Sequence, residues 1–243
     1  MNTSFERAPK YYMRLAGLFY LAIILLGLYG EMFVRAKLVV PGNPAATAEA
    51  ILGSPLLWRS GIVGDLLMQV FDIPVIVVLY LLLRPLNKSL ALTATFINLI
   101  QTAVLVANKL TLLMPLFLLG GARYLTVFSA EQLHSLSYFA IKIHSYGFAV
   151  GLIFFGVACL LRGYLLFKSG YVPKVFGVLM LVAGLSYLIN SFALLLAPTF
   201  ATILFPGILL PAFVGEFSFC LWMIVKGVNL APWQRRVETT PSL

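Results

Sequence analysis

The sequence predicts an all-α membrane protein, a bundle of six transmembrane helices with a short outer-surface helix in the first outer loop. Three observations predict it. Of 243 residues, 61% are hydrophobic and 10% are charged, whereas a soluble domain is about half apolar and about a quarter charged. The apolar residues gather into six runs, each close to the roughly 20 residues that a hydrocarbon core requires. Lys and Arg stand mostly at the ends of these runs, the distribution that sets topology. The formal charge of +9 is therefore scattered rather than gathered into a patch, and argues against a nucleic-acid partner. The partner implied is the lipid bilayer.

The first run spans about 12–34, and its apolar part, Leu15–Val34, follows Arg7, Lys10 and Arg14. Its apolar part exceeds the roughly 7–15 residues of a signal-peptide core, so it reads as an uncleaved first transmembrane helix. Asn43 before Pro44 is an N-cap with proline at the first helical position, and Gly53 with Pro55 is a stop. A short helix is expected over 45–52, on the outer surface. Further spans follow at about 60–83, 90–118, 138–161, 175–196 and 206–225. Before the fourth, Ser129 and Gln132 form a capping box, and Glu131 suits the first turn. That helix, continued to Arg162, would be about 50 Å long. Its Gly147 and Gly151 have the spacing for close helix contact, read as packing inside the bundle rather than dimerisation.

The N-terminal arm, the second and fourth loops and the C-terminal tail hold most of the bases, Arg84, Lys88, Arg162, Lys168 and Lys174 among them. Both termini are accordingly expected in the cytoplasm of a bacterial cell, the chain 1–243 forming one polytopic domain of the inner membrane. Cys159 and Cys220 lie in apolar runs without metal-ligand spacing and read as small buried hydrophobes. His134 and His144 are about 15 Å apart along one helix and cannot share a metal. No catalytic or nucleotide-binding motif is present, and no metal or cofactor is expected.

Polar residues inside the runs mark the candidate site. Asp65 and Asp72 are nearly two turns apart and face nearly the same way. An acid in hydrocarbon costs several kcal/mol unless it is paired, protonated or wet. Gln101, Asn108 and Lys109 share one side of the third span with Asn98, and antiparallel register brings Asp65 to Lys109 and Asp72 to Gln101. His144 and Glu216 complete a candidate polar cavity open to the outside. Pro74 and Pro211 would each displace a carbonyl and kink a helix beside Asp72 and Glu216. Four acids, Glu31, Asp65, Asp72 and Glu216, face two bases, Lys109 and Lys142, so a cation or a proton is needed for balance. The competing reading is plain scaffolding, since polar pairs between membrane helices average below about 1 kcal/mol.

Several short stretches resemble one family. They are Arg14-Leu15-Ala16-Gly17, Pro41-Gly42, Arg59-Ser60-Gly61, the turn after Leu79-Tyr80 at Arg84-Pro85, Gly163-Tyr164 and Lys168-Ser169-Gly170-Tyr171-Val172-Pro173-Lys174. Together they resemble the bacterial membrane proteins grouped as a domain of unknown function, DUF4386, over nearly the whole chain. The resemblance implies an integral membrane protein of one domain and no particular activity. The family often carries a histidine at the place of Ala158, so no scheme built on that position carries over. Binding or translocation of a small solute or cation is the leading expectation. A membrane-embedded enzyme acting on a lipid at the outer leaflet, with His144 and Asp65 as acid and base, is the alternative. A sensor or accessory subunit is a third.

Overall fold

In the computed structural model, which describes residues 4–238, nine helices are named here. They are α1 (Pro9–Leu38), α2 (Pro44–Gly53), α3 (Pro55–Leu83), α4 (Lys88–Leu118), α5 (Ala130–Ser169), α6 (Lys174–Leu196), α7 (Pro198–Leu204), α8 (Leu210–Val225) and α9 (Leu230–Glu238). Among the described residues, six helical segments are long and apolar enough to cross a membrane: α1, α3, α4, α5, α6 and Gly207–Val225. Their exposed faces carry large apolar side chains such as Val70, Val77, Phe96, Leu110 and Phe117. That is a surface suited to lipid, where hydrocarbon tails solvate what water would not. The protein is a multi-pass, all-helical membrane protein.

Local signals set the helix ends. The Asn43 side chain accepts from the Ala46 amide at 3.0 Å and starts α2. Ser129 and Gln132 close their box from both sides, with Ser129 N to Gln132 Oε1 at 2.8 Å and Gln132 N to Ser129 Oγ at 3.3 Å. The stretch from Lys168 to Lys174 is explained by its geometry. Gly170 takes φ +75°, the left-handed conformation that stops α5, and Pro173 leads into α6. Between them Ser169 Oγ accepts from the Val172 amide at 3.2 Å, and buried Tyr171 donates to the Leu82 carbonyl at 2.6 Å. Burial raises the Tyr171 phenol's pKa, so it stays a donor.

Two expectations are corrected. Pro211 lies in the first turn of α8, where its missing N–H is of no consequence, and so does not kink a helix beside Glu216. Arg162 is not a surface base: α5 runs on to Ser169, and Arg162 is 5% exposed.

The chain divides into two compact units. One contains Ile23–Val70 and Ala103–Phe148. Its apolar core joins Val34, Leu38, Ile51, Trp58, Ile62, Leu112 and Ile141. Trp58 Nε1 donates to the Leu112 carbonyl at 2.9 Å and satisfies the indole inside that core. Here α1 widens into a π-helical stretch, Tyr29–Arg35. Gly147 packs on the Asn108 side chain, an internal contact of α5 with α4.

The other unit contains the residues up to Ala22, Phe71–Thr102, and those from Ala149 onward. Its α5 and α6 meet through glycines. A Cβ on Gly156 would lie 2.9 Å from the Gly184 carbonyl, and one on Gly163 would lie 2.9 Å from that of Gly177. Such bare backbone lets membrane helices approach closely and gain dispersion contacts. α8 closes on α6 at Gly215 and on α1 at Gly17, where Cys220 Sγ donates to the Gly17 carbonyl at 3.3 Å.

Candidate functional site

The unit built from Ile23–Val70 and Ala103–Phe148 holds four of the sequence-predicted residues: Asp65, Asn108, Lys109 and His144. Asp65, 1% exposed, receives two cations on one oxygen. Lys109 Nζ lies 2.9 Å and Arg35 Nη1 2.7 Å from Oδ2. Arg35 Nε turns back to Glu31 Oε2 at 2.8 Å, the π-helical stretch carrying both. This set is neutral: two acids and two bases. Arg35 is absent from the two bases, Lys109 and Lys142, that the sequence sets against the four acids. Asn108 Nδ2 donates to the His144 carbonyl at 2.9 Å and approaches its Nδ1 at 3.0 Å. Among the described residues, no hydrogen bond joins His144 to a carboxylate. Lys142 is exposed and lies over the Tyr138 ring.

The unit that includes Phe71–Thr102 holds Asp72, Gln101 and Glu216. Asp72 Oδ2 accepts from Asn98 Nδ2 at 3.0 Å and from Thr102 Oγ1 at 2.9 Å. Gln101, expected as the direct partner, instead accepts from Asn98 at 2.7 Å, so Asn98 joins the two. Thr102 pairs with Asp72 in the same index register that joins Lys109 to Asp65. Arg162 Nη1 donates to Asn98 Oδ1, and Arg162 Nη2 has no partner among the described residues. Glu216 is held on both oxygens by phenols. Tyr20 donates to Oε2 at 2.7 Å, and Tyr187 donates to Oε1. A small cavity of about 20 Å³ is lined by Tyr20, Asp72, Val75, Cys159 and Arg162 among others.

Arg35, Thr102, Arg162, Tyr20 and Tyr187 are the participants that sequence reasoning missed. For Arg162 a signal existed: the helix-stopping glycine comes eight residues later, so the helix continues for two turns beyond it. The tyrosines left no such trace, because an aromatic ring in an apolar run also serves as packing. Among the described residues, no three His, Cys, Asp or Glu side chains converge as metal ligands would.

A family model described as a domain of unknown function, DUF4386, matches residues 15–227. A protein of Archaeoglobus fulgidus described as an uncharacterized protein is 30% identical over 180 residues, which cover 74% of this chain and 89% of that one. No solved structure matches.

Proposed function

The chain belongs to the DUF4386 family, and we propose that it binds and translocates a small cation, with Asp72 and Glu216 as the acids that attract it. The observation that carries this reading is a local charge imbalance. Asp72 and Glu216 share their unit with one buried base, Arg162, among the described residues. The cluster around Asp65 is balanced by Arg35 and Lys109 and serves as a fixed brace. A carboxylate without a matching base inside a bilayer is expensive, and such groups mark ion and proton pathways. Tyr20 and Tyr187 hold Glu216 in place without neutralising it. In this reading the protein is one polytopic domain of a cell membrane with both termini in the cytoplasm.

The test uses proteoliposomes loaded with a pH-sensitive or a Na⁺-sensitive dye and driven by a valinomycin-clamped potassium potential. The purified protein should admit one of the two ions faster than protein-free vesicles do. Asp72→Asn and Glu216→Gln, checked for monodispersity, should abolish that uptake. Folded protein that admits neither ion would overturn the proposal.

A further inference from the structure

A guanidinium carries five N–H donors, and Arg162 spends its Nη1 on Asn98. Its Nη2 is buried without a partner among the described residues. Leaving a buried donor unmade costs about 1–3 kcal/mol, and more for a charged group. Arg162 also lines the cavity of about 20 Å³. A water needs about 10–15 Å³ and two to four polar partners, so the space suits one water and excludes a larger solute. Asp72 and Tyr20 line the same cavity. Among the described residues, both hydrogen bonds to Asp72 fall on Oδ2, which leaves Oδ1 open. The Tyr20 hydroxyl donates to Glu216 and keeps its oxygen as an acceptor.

We infer that this cavity is a water site, in which one water accepts from Arg162 Nη2 and bridges Asp72 Oδ1 to the Tyr20 hydroxyl, so that Asp72 and Glu216 exchange a proton through it. The inference rests on the proposed function in taking this cluster as the working site, and it names the proton as the cation. The step balances. A proton leaves Asp72 Oδ1 for the water, the water passes one of its protons to the Tyr20 oxygen, and Tyr20 releases its own proton to Glu216 Oε2. Asp72 ends ionised, Glu216 ends neutral, and water and phenol are regenerated. Arg162 holds the water and keeps its charge. The titratable and charged groups around the path are Tyr20 on α1, Asp72 on α3, Cys159 and Arg162 on α5, Tyr187 on α6 and Glu216 on α8. Asn98 and Thr102 on α4 are the neutral donors that fix Asp72.

Infrared difference spectra between acid and alkaline states, recorded on the full chain in phosphatidylcholine–phosphatidylglycerol nanodiscs, test this. The carboxyl bands are assigned by their loss in Asp72→Asn and Glu216→Gln. In the wild type a water O–H band should shift when H₂¹⁸O replaces H₂¹⁶O, and the two carboxyl bands should titrate together. Val75→Leu adds a methylene to the cavity wall; it should remove the water band and separate the titrations. Tyr20→Phe, which removes one hydroxyl and keeps the ring, should separate them too and covers the case in which Val75→Leu fails to fold. Absence of an isotope-sensitive water band in folded wild type overturns the inference, as does common titration that persists in Tyr20→Phe. Coupled titration without ion uptake in proteoliposomes overturns the proposed function alone. Uptake with independent titrations overturns the relay alone.

Discussion

Gly30 stands against Asp65 so closely that a Cβ on it would lie 2.6 Å from Asp65 Oδ1 and 3.0 Å from Arg35 Nη2. The bare α-carbon makes room for the bridge between Arg35 and Asp65. Gly30→Ala should push the carboxylate off the guanidinium and lower stability by about 1–3 kcal/mol, the usual cost of overpacking. Unfolding midpoints in mixed micelles would register the loss. An unchanged midpoint would mean that the bridge has slack.

Lys109 and Asp65 are both nearly fully buried; removing Asp65 strands Lys109, whereas removing Lys109 leaves Asp65 with Arg35. Asp65→Leu should cost about 3–5 kcal/mol, and Lys109→Met less. The double variant Lys109→Met with Asp65→Leu should cost less than the two single effects added, because the stranded charge goes too. Arg35 is then left with Glu31, its partner on the same helix. A double-mutant cycle on unfolding free energies reads the coupling directly, and additivity would contradict it.

The glycine contacts between α5 and α6 discriminate between positions. A Cβ on Gly184 would sit 2.7 Å from the Gly156 carbonyl, whereas one on Gly53 would meet no atom within 4 Å. Gly184→Ala should therefore destabilise by about 1–3 kcal/mol, while Gly53→Ala should stay within about 0.5 kcal/mol of wild type. Thermal melts of the two variants side by side check the contrast.

Tyr187 supplies one of the two phenol donors to Glu216. Tyr187→Phe removes that donor and keeps the ring against Phe155. A hydrogen bond to a charged group is worth about 1.5–3 kcal/mol, so the variant should lose stability by that order. Its cation uptake in proteoliposomes should fall as well. Loss of stability with unaltered uptake would make Tyr187 a purely structural partner.

Six apolar runs, the Asn43 cap and the Ser129–Gln132 box were legible because each depends on neighbours in sequence. The pairing of Asp65 with Lys109 was also legible, since adjacent antiparallel helices keep a fixed register over several turns. Register alone could not separate Gln101 from Thr102 as the partner of Asp72, because adjacent positions differ by about 100° around the helix and side-chain reach decides. Arg162 and Arg35 escaped notice for another reason. A base near the end of an apolar run looks the same whether it faces headgroups or turns inward, and helix packing makes the choice.

The order in which these charges appear along the chain bears on biogenesis. Asp65 precedes Lys109, and Asp72 and Asn98 precede Arg162. As the chain leaves the ribosome, each of these deep bases reaches the membrane after its counter-group is already there. Arg35 is made before Asp65, but its side chain is 16% exposed and has Glu31 one turn away to neutralise it meanwhile. The tight turn at Gly170 then links α5 to α6 as a hairpin closed by the glycine seam. Glu216 comes last in the chain, after both tyrosines whose hydroxyls hold it, Tyr20 and Tyr187.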